Sequence, residues 1–402
     1  MSDQGAARVA GAAGDAPEPG KAGDAREPGR AGDAREPGRG VTPAGGDAPE
    51  RGRRVTPANE EQRAAWLGGA MPEVERVRPG LWSIPVPIPV NPLRYVLVYA
   101  LEVPDGVVII DAGWNTDEAF AALASGLGVA GYAMADVRAV LVTHIHPDHY
   151  GLAGRVREAS GAWIGLHPAD AALLHDRYDE SAIDSLVGRE RAMLARSGVP
   201  PLSLDELSGA SRMIRNYVSM AVPDRLIEDG AALEVPGWDL RAVWTPGHSP
   251  GHLCFLSPSR RVLFSGDHVL ARITPIVAVH PQSAPDPLAD YLGALAAVRD
   301  FEVDEVLPAH EFRFLELADR VDYVTAHHGR RLAEIEEAVS GADGVTCWDV
   351  TTRLTWSRPW DTIPAFMRRA ATNETLAHLV YLEARGRLRR VPGEADLWYP
   401  DI

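Results

Sequence analysis

The feature that most restricts what this chain can fold into is the heptapeptide THIHPDH at residues 143–149, which follows the unbroken apolar run VLV within VRAVLV. A short continuous apolar run rich in β-branched residues reads as a buried strand. Polar side chains crowded at the end of such a strand need partners, because burying them unpaired is unfavourable. His144 and His146 alternate along the chain, so both can reach one ion from a strand end. Asp148 and His149 come from the following turn and face a neighbouring ion. Neutral imidazole nitrogen and carboxylate oxygen are the donors that zinc-like cations take, at about 2.0–2.2 Å. The two cysteines, Cys254 and Cys347, cannot build a thiolate cage and fit no CxxC motif.

The pattern recurs. AVWTPGH delivers His248, VLFSGD delivers Asp267 and EVLPAH delivers His310, each after an apolar run. A parsimonious division gives His144, His146 and His248 to one ion. Asp148, His149 and His310 go to a second, and the carboxylate of Asp267 bridges the two. Each ion then keeps an open position, the mark of a catalytic rather than a structural site. A lone histidine is ordinarily a satisfied core or turn residue, but seven donors on four strand ends are not explained that way. No GxSxG elbow is evident, which disfavours a covalent serine route.

Around this frame the chain divides into three parts. Residues 1–60 repeat AGDAREPGR at 22–30 and 31–39 and VTPA at 41 and 55. The repeat is too short and polar to stack, and scarce apolar residues leave the ordering entropy without compensation, so a disordered tail is expected. It lacks the apolar core of a secretory signal. Residues 61–320 carry the chemistry. Strands are expected within 80–112 and at 137–144, 162–167, 231–237, 238–247, 252–259, 261–267 and 303–310. Helices are expected at 116–127, 152–160 and 286–301, with a helical insertion over 168–224. In residues 321–402, helices at 323–339, 347–354 and 364–384 precede a hairpin, the element order of a winged helix. The apolar run at 82–103 is broken by prolines and does not read as a membrane span. A net charge of −16 opposes non-specific attraction to nucleic acid or anionic membranes. Two cysteines without a disulfide framework make a reducing cytoplasm the simplest setting.

Read in order, Asp111 in IIDAG, HxHxDH at 144–149, His248 in GH, Asp267 in SGD and His310 in PAH resemble the five motifs of the metallo-β-lactamase superfamily. The resemblance covers about residues 75–315. It implies an α+β fold, a four-layer αββα sandwich with the metals at one edge of its two sheets. It also implies that Asp111 stands behind the first histidines and orients them. Aspartate at 267 departs from the antibiotic-degrading members, which typically carry cysteine there. It is similar instead to the glyoxalase II, ribonuclease Z and lactonase branches. TPGHSPGH is similar to the TPGHTxGH of glyoxalase-II-like enzymes, which makes His252 a supporting residue rather than a ligand. His268, where many relatives have Thr, Ser or Cys, either faces the pocket or packs. The segment HHGRRLAEIEEAV and the residues C-terminal to it resemble the winged helix appended to one subgroup, some of whose members act on RNA and others on thioesters. Arg385, Arg387, Arg389 and Arg390 cluster near its wing, offset by Glu334, Glu336, Glu337, Asp343, Asp349 and Asp361.

Together these features predict a binuclear metal hydrolase. Two cations about 3.5–4 Å apart acidify a bridging water to a hydroxide that attacks an electrophilic centre. Asp148 and Asp267 hold that nucleophile in line. Zinc is the expected metal, although iron and manganese suit the same donors. The expected substrate is a small thioester, ester or lactone. The alternatives are a ribonuclease or phosphodiesterase, whose RNA binding would be salt-sensitive, a one-iron persulfide dioxygenase, and a binding protein with a vestigial site. No membrane partner is expected, and a homodimer is left open. The insertion offers Arg177, Tyr178, Arg189, Arg191, Arg212, Arg215 and Tyr217 to an anionic substrate, and the proline-rich edge offers Trp82 and Asn91.

Overall fold

The computed structural model describes residues 55–89 and 91–401. The low-complexity tail at residues 1–54 lies outside the described residues. Among them, one sheet has seven strands in the order β1 (Glu75–Arg78), β2 (Leu81–Pro87), β3 (Tyr95–Val103), β4 (Gly106–Ile110), β5 (Val137–Leu141), β6 (Trp163–Leu166) and β7 (Arg225–Leu226). The first four strands form an antiparallel meander, and β4 to β7 run parallel. A second sheet is ordered β11 (Glu305–Pro308), β10 (Val262–Gly266), β9 (Leu253–Ser257), β8 (Arg241–Trp244).

The period of two along each strand creates the layers. On β3, Leu97, Tyr99 and Leu101 face the second sheet, where they meet Leu253, Phe255, Phe264 and Leu307. The alternate residues Val96, Val98 and Ala100 face outward under α2 (Asp117–Val129) and α4 (Ala153–Ser160), against Leu123, Leu127 and Val156. The outer face of the second sheet, with Cys254, Leu263 and Val306, lies under α10 (Pro287–Val298) and α11 (Leu317–Ser340). Helix, sheet, sheet, helix is the expected sandwich. Capping sets the helix starts: Thr116 Oγ1 accepts from Ala119 N at 3.1 Å, and Asp286 Oδ1 accepts from Ala289 N at 3.0 Å with Pro287 at the first turn.

Two expectations are corrected. Packed chain is already present at Val55, ahead of the expected start at residue 61. Val55 is buried, Pro57 bridges Phe314, and Leu315 N donates to Thr56 O at 2.9 Å, ahead of α1 (Glu60–Leu67). The expected strand at 231–237 contributes only an isolated bridge, Ala232 to Arg241. Leu233 N turns to Leu240 O, and Pro236 and Gly237 force a reversal before a ladder can extend. The insertion comprises α5 (Pro168–Ala171), α6 (Leu174–Tyr178), α7 (Ile183–Arg196), α8 (Pro201–Ser208) and α9 (Ala210–Arg215). After α11 come α12 (Cys347–Arg353), α13 (Ala365–Glu383) and an antiparallel hairpin of β12 (Leu388–Val391) and β13 (Leu397–Pro400). Among the described residues no helix is long and apolar enough to cross a membrane.

Candidate metal centre

The donors stand at strand ends of both sheets. After β5 the chain carries Thr143 to His146, and Pro147 opens the single turn α3 (Pro147–Tyr150) that holds Asp148 and His149. The second sheet delivers His248 after β8, Asp267 after β10 and His310 after β11. Potential ligand atoms fall into three groups, each within 4.8 Å: His144, His146 and His248; His144, His149 and Asp267; Asp148, His149 and His310. All seven expected donors are thus brought together. Asp267 stands between the groups. Its Oδ2 lies 3.4 Å from His248 Nε2 and 3.6 Å from His149 Nε2, and its Oδ1 lies 3.3 Å from His310 Nε2. Asp148 Oδ2 lies 3.4 Å from His310 Nε2.

Three of these imidazoles have one nitrogen committed to protein and one left over. His310 Nδ1 donates to Tyr95 O at 2.9 Å, and His248 Nδ1 to Ile276 O at 2.8 Å. His149 Nδ1 pairs with Asp111 Oδ2 at 2.7 Å. Such contacts fix the tautomer and aim the other nitrogen. The left-over atoms, His149 Nε2, His248 Nε2 and His310 Nε2, together with Asp267 Oδ1, are buried without a hydrogen-bond partner. Buried polar atoms are rarely left so. Their spacing of 3.3 to 3.6 Å is too long for a good hydrogen bond. It matches the roughly 3.3–3.6 Å between neighbouring ligands of a tetrahedral ion bound at about 2.0–2.2 Å. Spacing, burial and donor chemistry therefore all fit divalent cations.

Charge follows the same division. Burial and the surrounding imidazoles hold His144 and His146 well below the usual histidine range, which keeps them neutral as ligands must be. Burial opposes protonation of His310 as well, but Asp267 and Asp148 outweigh it and push its pKa to about 10. Burial would raise Asp267, yet His310 and His149 hold it well below the usual carboxylate range. This pole of the site is an anionic pocket that demands positive charge.

Asp111 stands behind the histidine cluster and reaches it by two routes. It sits at φ 62 at the end of β4, a conformation aspartate tolerates better than most residues. It grips His149 directly and reaches His144 only through Thr143, whose N and Oγ1 donate to it at 2.8 and 2.9 Å and whose Oγ1 lies 3.0 Å from His144 Nδ1. His252 accepts from Asp267 N at 3.1 Å and contacts Thr245 Oγ1 at 2.8 Å, so it braces Asp267. His268 packs: it is fully buried against Tyr291 and His252, and burial lowers its pKa to about 3. Gly247, at φ 128, lets the chain pass where a Cβ would stand 2.4 Å from that of Tyr291.

Asp170 is not among the residues that the sequence pattern singles out. It is buried on α5, accepts from Ile145 N at 2.8 Å and from Ser249 Oγ and Gly251 N at 2.8 and 2.7 Å. It therefore ties the HxHxDH loop to the His248 loop. The sequence signal for it is no more than an acid in the first turn of a short helix. Burial, with the charges of Arg177 and Arg369, lowers the pKa of His280 to about 3. Of the expected anion-binding candidates, Arg189, Arg191, Arg212 and Arg215 pair with Asp176, Asp205, Asp184 and Glu180. Arg177 makes no ion pair among the described residues. Tyr178 Oη donates to Ile145 O, and Tyr217 packs on Trp114. Trp82 is committed to Glu102, and Asn91 caps its own turn through Leu93 N.

A family model described as the metallo-beta-lactamase superfamily matches residues 91–310. A metallo-beta-lactamase family protein of Thermus thermophilus has 30% identity and a TM-score of 0.70, over 81% of this chain and 99% of its own. Among curated relatives, a beta-lactamase-like protein 2 homolog of Caenorhabditis elegans is 28% identical over 134 residues, 33% of this chain and 43% of the relative. An atrochrysone carboxyl ACP thioesterase of a Cryptosporiopsis species is 32% identical over 144 residues, 34% of this chain and 42% of the relative. The match thus spans less than half the length of these curated relatives.

Proposed function

Because this chain belongs to the metallo-β-lactamase superfamily, we propose that it is a two-cation hydrolase of a thioester, with esters and lactones as related substrates, and that its cations are zinc. The observation that carries this reading is the carboxylate of Asp267 lying between two histidine groups. His144, His146 and His248 would hold one cation and Asp148, His149 and His310 the other, with Asp267 shared. Two such cations supply Lewis acidity, which lowers the pKa of a water and polarises a carbonyl oxygen. The chain supplies the rest. Asp148 and Asp267 would offer carboxylate oxygens to align an attacking water. Asp111, His252 and Asp170 keep the donor loops from shifting. The charge of Arg177, felt at His146, favours an anionic or carbonyl group beside it. The relative named as a carrier-protein thioesterase supports a thioester over other acyl groups.

An RNA substrate is less well supported. Three of the arginines expected to form a basic wing are neutralised by Asp286, Glu336 and Glu383, which face Arg385, Arg387 and Arg390. The test is metal analysis of the purified protein followed by turnover of thioester, ester, lactone and RNA substrates at matched metal content. We expect about two zinc ions per chain and thioester hydrolysis reduced on the order of 10²-fold or more by His146→Ala. One iron per chain with oxygen uptake, or RNA cleavage without acyl hydrolysis, would overturn the reading.

A further inference from the structure

Residues 267–286 join β10 to α10 without a helix or strand of their own. A connection this long that forms no element is uncommon and ordinarily serves a function. Its middle is clamped to the protein through the backbone. The buried carboxylate of Glu311, the residue after His310, accepts from Arg272 N at 2.6 Å and from Ile273 N at 3.2 Å. Arg320, also buried, donates to Leu270 O and to Ile273 O, both at 2.7 Å. Farther along, Ile276 O accepts from His248 Nδ1 at 2.8 Å. The segment is thus fastened beside one metal-site histidine and directly onto another.

The side chains of the segment divide in a way that burial alone does not explain. Ala271 and Val277 enter the core with Leu288 and Val324, and Pro275 is buried. Ile273 and Ile276 are 39% and 46% exposed. Single exposed apolar residues are ordinary on a protein surface. These two stand on one clamped segment that reaches the metal centre, on the side where that centre is open. His144, His149 and His310 are fully buried, whereas His146 and His248 are partly exposed, with ring centroids 4.7 Å apart. A substrate enters past these two rings, and the Ile276 carbonyl holds one of them. The backbone groups that clamp the segment are already paired, so beside His248 it presents chiefly hydrocarbon.

We propose that Ile273 and Ile276 form an apolar lip on the metal centre that selects a thioester with a hydrocarbon acyl chain. The chain lies against the two isoleucines while its carbonyl enters between His146 and His248. This rests on the hydrolase reading above and narrows its substrate class. Carrier thiols are rich in amide and hydroxyl groups, to which two isoleucines offer no bond. An alkyl chain instead gains about fourfold in affinity for each methylene taken out of water. The experiment compares acetyl, butyryl and octanoyl groups on one thiol, N-acetylcysteamine, at matched zinc content. KM should fall at least tenfold from acetyl to octanoyl. In the double variant Ile273→Ser, Ile276→Ser that ratio should shrink below threefold. Val129→Ser, which removes an apolar side chain 60% exposed at the end of α2, should keep it.

A readout without turnover separates the lip from the hydrolase reading. Calorimetry with the S-ethyl and S-octyl thioethers of N-acetylcysteamine, which cannot be hydrolysed, should show the octyl compound binding at least tenfold more tightly. The double serine variant should abolish that difference. Such binding without hydrolysis of any acyl compound would leave the lip standing and remove the hydrolase reading. Equal binding of the two thioethers, KM values indifferent to chain length, or a chain preference that the double variant retains or that Val129→Ser also removes, would overturn the lip.

Discussion

Asp170 touches none of the proposed metal ligands and yet holds two of their loops. Three donors from two loops converge on its carboxylate. Asp170→Asn replaces one acceptor oxygen with an NH₂ that faces a donor. The expected outcome is a 10–100-fold loss of metal affinity, as for other groups that orient ligands, and a destabilisation of about 1–3 kcal/mol. Chelator competition measures the first and urea unfolding the second; unchanged affinity would show that the loops hold themselves. Asp111→Asn isolates a different contribution. Asparagine accepts the left-handed backbone at φ 62, so the fold should stand while His149 loses its anionic partner. Metal affinity should again fall 10–100-fold, with an unfolding midpoint that moves little. The contrast between these two aspartates shows what a sequence can reveal at this scale. Asp111 and the seven donors stand where apolar strands stop, so local chemistry betrays them. Asp170 acts on Ile145, Ser249 and Gly251, and nothing near it in sequence records those contacts.

Strand ends and helix caps are legible in the sequence because each is a local pattern. The run at 231–237 misleads for a reason visible in its contacts. Val235 is buried between the sheets, so its apolar character is real, but it serves a turn rather than a ladder. The seam between α11 and α13 is not legible at all, since it joins residues some fifty positions apart. There His328 Nδ1 and His378 Nε2 stand 3.1 Å apart, and Glu374 lies close enough to Arg331 of α11 to interact with it. Burial pushes the Glu374 carboxyl from 4.5 up to about 7, with Arg331 pulling the other way. A carboxyl whose folded pKa is raised contributes stability that is fully present below the unfolded value and is lost as pH rises through the folded value. Glu374→Gln should therefore gain on the parent protein between pH 4.5 and 7, with a constant advantage above that, of roughly 1–3 kcal/mol. His378, lowered by burial to about 4, works in the opposite sense: its contribution is lost as pH falls from 6.5 towards 4. Urea unfolding of the parent and of Glu374→Gln from pH 4 to 8 isolates the Glu374 slope from that of His378. A Glu374→Gln difference that does not vary with pH would mean the carboxyl is solvated.

At the scale of the whole molecule, the donors come from both halves of the sandwich. His144, His146, Asp148 and His149 follow β5 of the first sheet, while His248, Asp267 and His310 follow β8, β10 and β11 of the second. Away from this edge the sheets are joined by apolar packing such as Tyr99 on Phe264, which is non-directional. At the edge, the sheets are linked by hydrogen bonds such as Leu253 N to Thr143 O and His310 Nδ1 to Tyr95 O, by Asp170 and by the close approach of Asp148, Asp267 and the histidines. Those like-charged carboxylates repel unless a cation or protons stand between them. Cations bound across this edge should thus act as a staple between the sheets, stabilising the folded state by mass action. Stripping them with a chelator should lower the unfolding temperature, and adding zinc back should restore it. The more discriminating measurement is hydrogen exchange. On chelation, amides of residues 143–149, 247–252, 266–268 and 309–311 should lose protection together, although they lie far apart in sequence. Those of α12 and α13 should not change, because their packing involves none of the donors. Loss of protection confined to 143–149 would mean that the second sheet holds its donors without help. A uniform loss would mean that the cations stabilise the fold globally rather than as a clasp at one edge.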